Sequence, residues 1–451
     1  MAGGKKNRTF WNFFDHVEGD KVVWMILLLL ILISIVCIFS STSRLLEAGQ
    51  TRLNMVRDQL FTVALGLGLI IICYNIKSIK FFRWCSQWGF ALSLVLLLML
   101  LSRIDTGFVK SIEVNGARRI LRVGGLQVHV FEVVKVAMVM YLAWAEDALK
   151  RGELRGPRKT AWKKVLYIYA PFLITLLMIV PGSNSAALFV GGIMFIVILL
   201  GGGNLKDMAI LGASAAVILA GCWGIYEVSG HQSMKRIGTA VSRVFDDTDY
   251  EQIYLISNDR IRRQEALDAI RQPYGAKIAI HEGWPLGKGP GQSTQRYVVP
   301  DMPEDYMFSF IIEEYGILGA IVVIFLYVSL LARASIIVRN CGRDTFAKLS
   351  VAGLSLLISG QAFLHMFVNA DIGPMTGQTL PLISHGASAF ICFSIAFGII
   401  LSMSRIAARR IAKEQEDARP LVQMTENVVA GLGELDDFES GKFDEFNDYG
   451  V

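Results

Sequence analysis

The sequence predicts an all-α polytopic membrane protein with about ten transmembrane helices and a long non-cytoplasmic loop between the seventh and the eighth. The chain of 451 residues is 53% hydrophobic and only 18% charged, and its apolar residues form uninterrupted runs with the charges between them. A soluble domain carries roughly 25% charged residues and has one core, which could not bury so many apolar runs. A lipid bilayer is the solvent in which such runs are stable.

Ten apolar runs are long enough to cross the hydrocarbon layer, which takes roughly 17–25 helical residues. They lie near residues 22–41, 58–75, 86–102, 128–146, 165–181, 185–201, 208–228, 306–331, 348–370 and 380–404. The first run follows a basic N-terminus, and no A-x-A-like cleavage site follows it. It is therefore expected to be a retained span and not a signal peptide.

Residues 1–404 are predicted to form the membrane domain, which includes a large extracytoplasmic loop at 229–305. That loop contains a helix-like stretch at 262–270 and a glycine-rich segment at 283–295. Loops of this length within a compact fold usually carry function. Residues 405–451 become acidic and are predicted to be a disordered cytoplasmic tail.

The distribution of Lys and Arg predicts that both termini are cytoplasmic. Basic residues are dense at 77–83, at 150–164, at 333–348 and at 405–413, which become cytoplasmic when the N-terminus lies inside. The loop between the third and fourth spans is an exception, since it carries Arg103, Lys110, Arg118, Arg119 and Arg122. Positive charge on the outer side indicates another use for these side chains.

Two other function classes lack the sequence features that they need. No basic stripe is interleaved with aromatic residues, which argues against nucleic acid as a partner. The six cysteines form no CxxC pair and nearly all lie in or beside apolar runs. This pattern predicts small buried hydrophobic residues and argues against a disulfide framework or a Cys/His metal site.

The first segment that could carry chemistry is PDMPEDYMFSFIIEEYG, residues 300–316, where the long loop re-enters the membrane. Desolvation at a membrane interface raises the pKa of a carboxyl group, which suits Asp305 to general-base catalysis near neutral pH. An acidic residue at a helix N-terminus also serves as a cap, so the residues alone leave both roles open for Asp305. Glu313 and Glu314 follow two helical turns later, at a depth where acids are usually functional or paired.

Three further segments carry polar groups in unusual places. Arg118 and Arg119 have guanidinium groups that suit phosphate oxygens, although interfacial snorkelling is the alternative. Glu132 and Lys135 are spaced to form an ion pair within the fourth span. The segment 367–390 combines Asn369 with helix-breaking Gly and Pro, which favours a cavity lining over an ordinary hairpin. The glycine-rich segment around Lys288 could offer N–H groups to phosphate, but it lacks the Walker spacing.

Taken together and in order, these segments resemble the SEDS family, the membrane peptidoglycan polymerases of the FtsW and RodA type. The similarity covers most of residues 20–405, and it is strongest to the cell-division type, FtsW. The matching positions are Gly116-Ala117-Arg118-Arg119, Glu132 with Lys135, Gly287-Lys288-Gly289-Pro290-Gly291 with Ser293-Thr294-Gln295, Pro300-Asp301 with Asp305, and Asn369, Pro374, Thr376-Gly377, Leu380-Pro381, Ile383-Ser384 and Gly386. The chain departs from the family pattern at Ile120, at Gly182, where an acid is usual, and at Ala387.

The resemblance implies a glycosyltransferase that polymerises lipid II during septal cell-wall synthesis. Asp305 would be the catalytic base that activates the 4-hydroxyl of the acceptor sugar, and polyprenyl pyrophosphate would leave the donor. A divalent cation, Mg²⁺ or Mn²⁺, could neutralise that leaving group. The residues expected to bind substrate are Arg118, Arg119, Glu132, Lys135, Lys288, Gln295, Glu313, Glu314, Asn369, Thr376 and Ser384.

The same resemblance implies a bacterial inner-membrane location and a class B penicillin-binding transpeptidase as a partner, with other division proteins. A lipid II flippase or transporter and a non-catalytic division scaffold are the alternative functions. A transporter of this size is expected to contain an inverted repeat, and no repeat is evident in the sequence.

Overall fold

The computed structural model of the chain describes residues 18–41, 52–102, 104–114, 117–228, 250–256, 259–299, 301–373 and 376–444. Helices dominate these residues, and one small antiparallel sheet accompanies them. The helices are α1 (Lys21–Ser41), α2 (Arg52–Asn75), α3 (Ile79–Leu101), α4 (Val130–Arg151), α5 (Thr160–Ile179), α6 (Asn184–Leu200), α7 (Leu205–Val228), α8 (Tyr250–Ile256), α9 (Arg260–Glu282), α10 (Met307–Asn340), α11 (Thr345–Asn369) and α12 (Ala387–Asp444).

A helix lies at each of the ten predicted spans, and the predicted fold class is confirmed. In a bilayer a helix satisfies every backbone N–H and C=O within its own segment, which explains why long apolar runs become helices. Eight of the described helices are long and apolar enough to cross a membrane. The two others at predicted spans are α6, which has 17 residues, and α4, which carries charged residues along its length.

Helix α4 tolerates those charges because protein surrounds it. It packs against α3, α6, α11 and α12, and nearly all of its side chains are buried. Its Lys135 is 1% exposed, and its Asp147 is 3% exposed. Near the other end of the helix, Asp147 forms an ion pair with Arg83 of α3 at 3.0 Å. Helix α4 therefore carries buried charged residues within the bundle, and its first turn contributes to the site described below.

The segment between α3 and α4, which hydropathy treats as a plain loop, is a four-stranded antiparallel meander. Its strands are β1 (Asp105–Thr106), β2 (Val109–Val114), β3 (Ala117–Val123) and β4 (Leu126–His129), in that order. Val109 pairs with Val123, and Ile120 pairs with His129. The sheet joins the end of the bundle where α10 begins, because the Ser388 hydroxyl of α12 accepts from the His129 N–H and donates to the Gln127 carbonyl.

The segment between α11 and α12 is not an exposed hairpin, because residues 378–384 are largely buried among the spans. Leu380 and Ile383 are 1% and 0% exposed. The Tyr327 hydroxyl of α10 donates to the Pro381 carbonyl at 2.5 Å, and the Ser34 hydroxyl of α1 donates to the Ile383 carbonyl at 3.0 Å. Side chains from neighbouring helices thus satisfy the broken backbone, as irregular structure within a membrane requires.

The helix-like stretch predicted within the long loop is part of α9, which packs against α10. Residues 229–249 of that loop lie outside the described residues. Helix α10 is interrupted at Gly316, whose φ of 65° and ψ of −161° are not helical. At the other end of the chain, helical backbone continues to Asp444, within the tail that the composition predicts to be disordered. The predicted boundary at residue 404 therefore does not coincide with the end of a helix.

Candidate active site

Asp305 lies immediately before α10, at the end of the bundle that carries the sheet. Its N–H donates to the Asp301 carbonyl at 2.9 Å, and its own carbonyl accepts from the side-chain amide of Asn369 at 3.0 Å. Asn369 is 1% exposed, so this contact is shielded from competition with solvent. Two hydrogen bonds therefore fix the backbone that carries the Asp305 carboxylate, although its side chain stays partly exposed.

The capping role that the sequence leaves open for Asp305 is taken by two residues of α11. The N–H of Phe308 donates to His365 Nε2 at 3.3 Å, and the N–H of Ser309 donates to Asn369 Oδ1 at 2.9 Å. These are the unsatisfied donors that a capping side chain normally serves. Within the described residues, the Asp305 carboxylate accepts no hydrogen bond. It is therefore not used to begin α10.

The Asp305 carboxylate instead faces Arg119 and Gly377. A Cβ atom on Gly377 would lie 3.5 Å from Asp305 Oδ2 and 3.9 Å from Arg119 Nη1. The acid and the guanidinium group are thus brought to one place beside a residue without a side chain. Gly377 has a φ of 58°, a conformation that favours glycine.

The surroundings of Asp305 favour its protonated form near neutral pH. The pKa of Asp305 is raised to about 7, chiefly by burial and also by the nearby carboxylates of Glu304 and Asp301, whereas Arg119 lowers it. A carboxyl group with a pKa near the working pH is suited to accept a proton and release it again. The sequence-based expectation of a raised pKa at this interface agrees with this arrangement.

The two adjacent arginines do not act as a pair. Arg118 and Arg119 of β3 lie at an irregularity in the strand pairing, where Glu113 pairs with Arg118 and Ile112 pairs with Ile120. Arg118 donates to the Ser111 hydroxyl at 3.0 Å and pairs with Glu113 at 3.5 Å, both within the sheet. Only Arg119 of the two lies beside Asp305. That both arginines bind substrate stays a prediction, and Arg119 is the one placed beside Asp305.

A buried polar network supports the segment that carries Gly377. Lys135 Nζ donates to Glu132 at 2.7 Å, to Gln361 at 2.7 Å and to Gln378 at 2.6 Å. The predicted ion pair within the fourth span is thus present, and it extends to α11 and to the broken segment. His365 continues the network through its Nδ1, which lies 2.7 Å from the Gln378 carbonyl. Because His365 Nε2 accepts from the Phe308 N–H, its Nδ1 carries the proton.

The remaining residues predicted in this segment have different roles. The Ser384 hydroxyl accepts from the Leu380 N–H at 2.9 Å, so Ser384 shapes the turn. The Thr376 carbonyl accepts from Ser185 at 3.2 Å. The buried side-chain atoms of the described residues that lack a hydrogen-bond partner in the protein include the hydroxyl of Thr376 and the second carboxylate oxygen of Glu132. Contact of either atom with substrate stays a prediction.

The other predicted residues, Lys288, Gln295, Glu313 and Glu314, meet in a second cluster around the break in α10. Glu313 is 0% exposed and accepts from Lys288 Nζ at 2.8 Å and from the Gln295 N–H at 3.2 Å. Glu314 is 1% exposed and accepts from the Ser40 hydroxyl at 2.7 Å. Contact of these residues with substrate stays a prediction, because the described partners of both acids belong to the protein itself.

The side chains near Asp305 do not by themselves form a metal centre. Among the described residues, no three His, Cys, Asp or Glu side chains are arranged to hold a metal ion. A divalent cation here would need oxygen atoms from the substrate in addition to carboxylates such as Asp305. The expected Mg²⁺ or Mn²⁺ therefore stays a proposal that is tied to a bound pyrophosphate.

Several residues that build the site were not identified from the sequence. Gln361, His365, Gln378 and Ser309 all take part in the buried hydrogen bonds that connect α4 and α11 with the segments carrying Asp305 and Gly377. The available signal was the presence of Gln and His within an apolar span, where polar side chains are costly and usually have a partner.

Comparison with known proteins agrees with this architecture. The family model described as cell cycle protein, of the FtsW, RodA and SpoVE type, matches residues 20–409. The peptidoglycan glycosyltransferase MrdB of Escherichia coli K12 is 26% identical over 413 residues, which are 89% of this chain and 97% of that protein. The probable peptidoglycan glycosyltransferase FtsW of Halomonas elongata is 26% identical over 359 residues, which are 78% of this chain and 83% of that protein.

Two solved structures share the fold. A chain of a peptidoglycan synthase complex that coordinates polymerization and crosslinking is 22% identical, with a TM-score of 0.57, and the match covers 86% of this chain and 98% of that one. The rod shape determining protein RodA of Thermus thermophilus is 20% identical, with a TM-score of 0.56, and the match covers 87% of this chain and 98% of that one. Both likenesses extend over nearly the whole membrane domain.

Proposed function

The chain belongs to the FtsW, RodA and SpoVE family of cell cycle proteins, and we propose on this premise that it is a peptidoglycan glycosyltransferase that polymerises lipid II. The observation that carries the proposal is the Asp305 carboxylate, which has a pKa raised to about 7, no cap to form and Arg119 beside it. A base next to a cation is what a sugar transfer with an anionic leaving group requires.

In the proposed reaction, Asp305 accepts the proton of the acceptor 4-hydroxyl. The freed oxygen forms a bond to the anomeric carbon of the donor sugar, and the bond from that carbon to the pyrophosphate oxygen breaks. Polyprenyl pyrophosphate leaves with the electron pair. Arg119 stabilises the negative charge on the leaving group, and Glu132 and Thr376 are positioned to orient polar groups of the substrate. A divalent cation bound with the pyrophosphate would add further positive charge there.

Partner and location follow from the relatives. The likeness to a chain of a peptidoglycan synthase complex supports a class B penicillin-binding transpeptidase as a partner, and other division proteins are proposed from the resemblance to FtsW alone. The protein is a multi-pass membrane protein, and we place it in the bacterial inner membrane with both termini in the cytoplasm. We base the septal role on the resemblance of the motifs to FtsW, since overall identity to the FtsW relatives, at 25–28%, is similar to that to MrdB, at 26%.

Replacing Asp305 with Asn tests the proposal, because Asn has similar volume but cannot accept the proton. Glycan strands made from lipid II by the purified full-length protein would be measured. Loss of a general base lowers the rate on the order of 10²-fold or more. The matched control is Asp371→Asn. Asp371 is an exposed carboxylate whose φ of 57° is a conformation that Asn tolerates, so the control should polymerise at the wild-type rate.

The same variant separates the alternative functions. Polymerisation by Asp305→Asn at the wild-type rate would contradict the assignment of the base. A lipid II flippase would move labelled lipid between leaflets without forming strands. A non-catalytic scaffold would support cell division equally well with Asp305→Asn, as long as the variant remained folded in the membrane.

A further inference from the structure

We propose that the glycine-rich loop 283–296 is a clamp that positions residues 307–315 of α10 and, through them, Asp305. This inference rests on the proposed function, since it concerns how the base of that reaction is held in place. It gives a role to Lys288, Glu313 and Glu314 that differs from the substrate contact expected from the sequence. The name clamp refers below to residues 283–296 together with their contacts to residues 312–317.

The clamp replaces the helical hydrogen bonds that are lost where α10 breaks. In a continuous helix, the carbonyls of Glu313 and Glu314 would accept from the N–H groups four residues later. Here the Lys288 N–H donates to the Glu313 carbonyl at 2.8 Å, and the Gly289 N–H donates to the Glu314 carbonyl at 2.9 Å. On the other side of the break, the Ile317 N–H donates to the Pro285 carbonyl at 3.0 Å. The loop is therefore part of the helix's own bonding pattern.

Glycine is required where the loop backbone meets the helix backbone. A Cβ atom on Gly316 would overlap with the Pro285 carbonyl, and one on Gly287 would overlap with the Glu314 carbonyl. A Cβ on Gly283 would overlap with the Ile312 carbonyl. Side chains at these three positions would push the loop away from the break.

Ion pairs also hold the loop against the break in α10. Glu313 accepts from Lys288 at 2.8 Å, from the Ser293 hydroxyl at 2.5 Å and from the Thr294 N–H at 2.8 Å, so both of its oxygens are satisfied. Lys288 also pairs with Glu282 at the end of α9. One ammonium group thus joins α9, the loop and α10. Removing it would leave the fully buried Glu313 charge without its counterion, which is strongly destabilising locally.

The clamped part of α10 is short and is held at both ends. Its beginning is fixed by His365 and Asn369, and its end is fixed by the clamp. Residues 307–315 extend about 13 Å at 1.5 Å per residue, so a tilt of about 5° about one end moves the other by about 1 Å. A displacement of that size is enough to lower a catalytic rate on the order of 10²-fold. Loosening the clamp should therefore let residue 315 move by this amount and, because the segment tilts as a unit, strain the His365 and Asn369 contacts that hold Asp305 beside Arg119.

The test compares Lys288→Met with Lys288→Arg and with Lys164→Met in the full-length protein. Lys164 is the matched control, because its side chain is 25% exposed against 22% for Lys288 and it forms an ion pair with Asp207, whereas Lys288 pairs with both Glu282 and Glu313. Hydrogen exchange of residues 307–315 and the steady-state kinetics of lipid II polymerisation would be measured. Ser293→Ala, which keeps the ion pair and removes one hydrogen bond, is a milder variant in case Lys288→Met does not fold.

Lys288→Met should exchange residues 307–315 on the order of tenfold faster and lower kcat on the order of tenfold, with KM changed less than about twofold. Lys288→Arg should restore most of kcat, Ser293→Ala should lie between, and Lys164→Met should match the wild type. Wild-type exchange and kcat in both Lys288→Met and Ser293→Ala would overturn the proposal. So would faster exchange throughout α11, which would indicate general unfolding and not a loosened segment.

The exchange measurement also separates this inference from the proposed function. If the wild-type protein made no glycan strands while Lys288→Met still loosened residues 307–315, the polymerase assignment would fail and the clamp would stand. If the wild-type protein polymerised lipid II and Lys288→Met changed exchange but not kcat, the positioning of Asp305 by the clamp would be contradicted.

Discussion

Asp305 and Glu313 stand at the two ends of one short helical segment, and their surroundings are opposite. Glu313 is fully buried, and Lys288, Ser293 and Thr294 satisfy its carboxylate. Asp305 is partly exposed. The nearby N–H groups of Phe308 and Ser309 donate to His365 and Asn369, which cap α10 in place of Asp305. Its pKa is raised by burial and by neighbouring acids.

The difference distinguishes a structural carboxylate from one that can act in catalysis. A carboxylate whose acceptor positions are filled by the protein contributes to architecture, because breaking its contacts leaves a buried charge unpaired. A carboxylate that is partly desolvated and short of donors can exchange a proton with a substrate. In this protein, Glu313, whose acceptor positions are filled, holds the helical segment next to Asp305, whose carboxylate has few donors.

The largest effect on the difference between the two acids is expected at Asn369. This side chain both caps α10 and holds the backbone of Asp305. Asn369→Ala leaves the Ser309 N–H buried without an acceptor and releases the Asp305 carbonyl. A buried donor left unsatisfied costs about 2 kcal/mol of unfolding free energy, and the released backbone should lower kcat on the order of tenfold or more. Thermal unfolding in detergent and polymerisation kinetics would measure the two effects.

Ser309→Ala is the matched partial variant for this prediction. It removes the hydroxyl that donates to Asn369 at 2.9 Å and keeps the backbone N–H that donates to the capping oxygen of Asn369. The loss should stay at about 1 kcal/mol, with kcat near the wild-type value. A wild-type kcat in Asn369→Ala would show that the base does not depend on this contact.

A smaller effect is expected at Gly182, the position where the family pattern usually has an acid. A Cβ atom there would lie 2.5 Å from Phe131 Cζ and 3.1 Å from the Arg118 carbonyl. The Phe131 ring thus occupies the space that a second acid near the site would need. Gly182→Ala should destabilise the protein by about 1–2 kcal/mol through overpacking, and Phe131→Leu should relieve part of that cost in the double variant. Strictly additive changes in thermal stability among the three variants would contradict this contact.

The spans and the base could be predicted from the sequence because both depend on local signals. Long apolar runs require helices in a bilayer whatever their neighbours are, and a helix was found at each of the ten runs. Asp305 is conspicuous as an acid at the point where a loop enters a span. The choice between base and cap could not be made locally, since it depends on His365 and Asn369, which lie far along the chain.

The sheet and the saturation of Glu313 were missed for two different reasons. A signal for the sheet was available, because Asn115-Gly116 lies between two strand-like runs and is a strong hairpin dipeptide. The different surroundings of Arg118 and Arg119 could not be inferred from that signal, because the pairing of β2 with β3 is irregular at these residues. The partners of Glu313 could not be inferred, because no short-range rule brings residues 288–295 to a break at Gly316.

The pH dependence of polymerisation by the wild-type protein and by Arg119→Gln tests the central claim most directly. The carboxylate form of Asp305 is the active one, so kcat/KM should rise as pH increases through about 7. Arg119 lowers the pKa of Asp305, so its removal should move this limb to higher pH by on the order of one unit. A wild-type limb near pH 4, or a limb that stays in place in Arg119→Gln, would contradict the account.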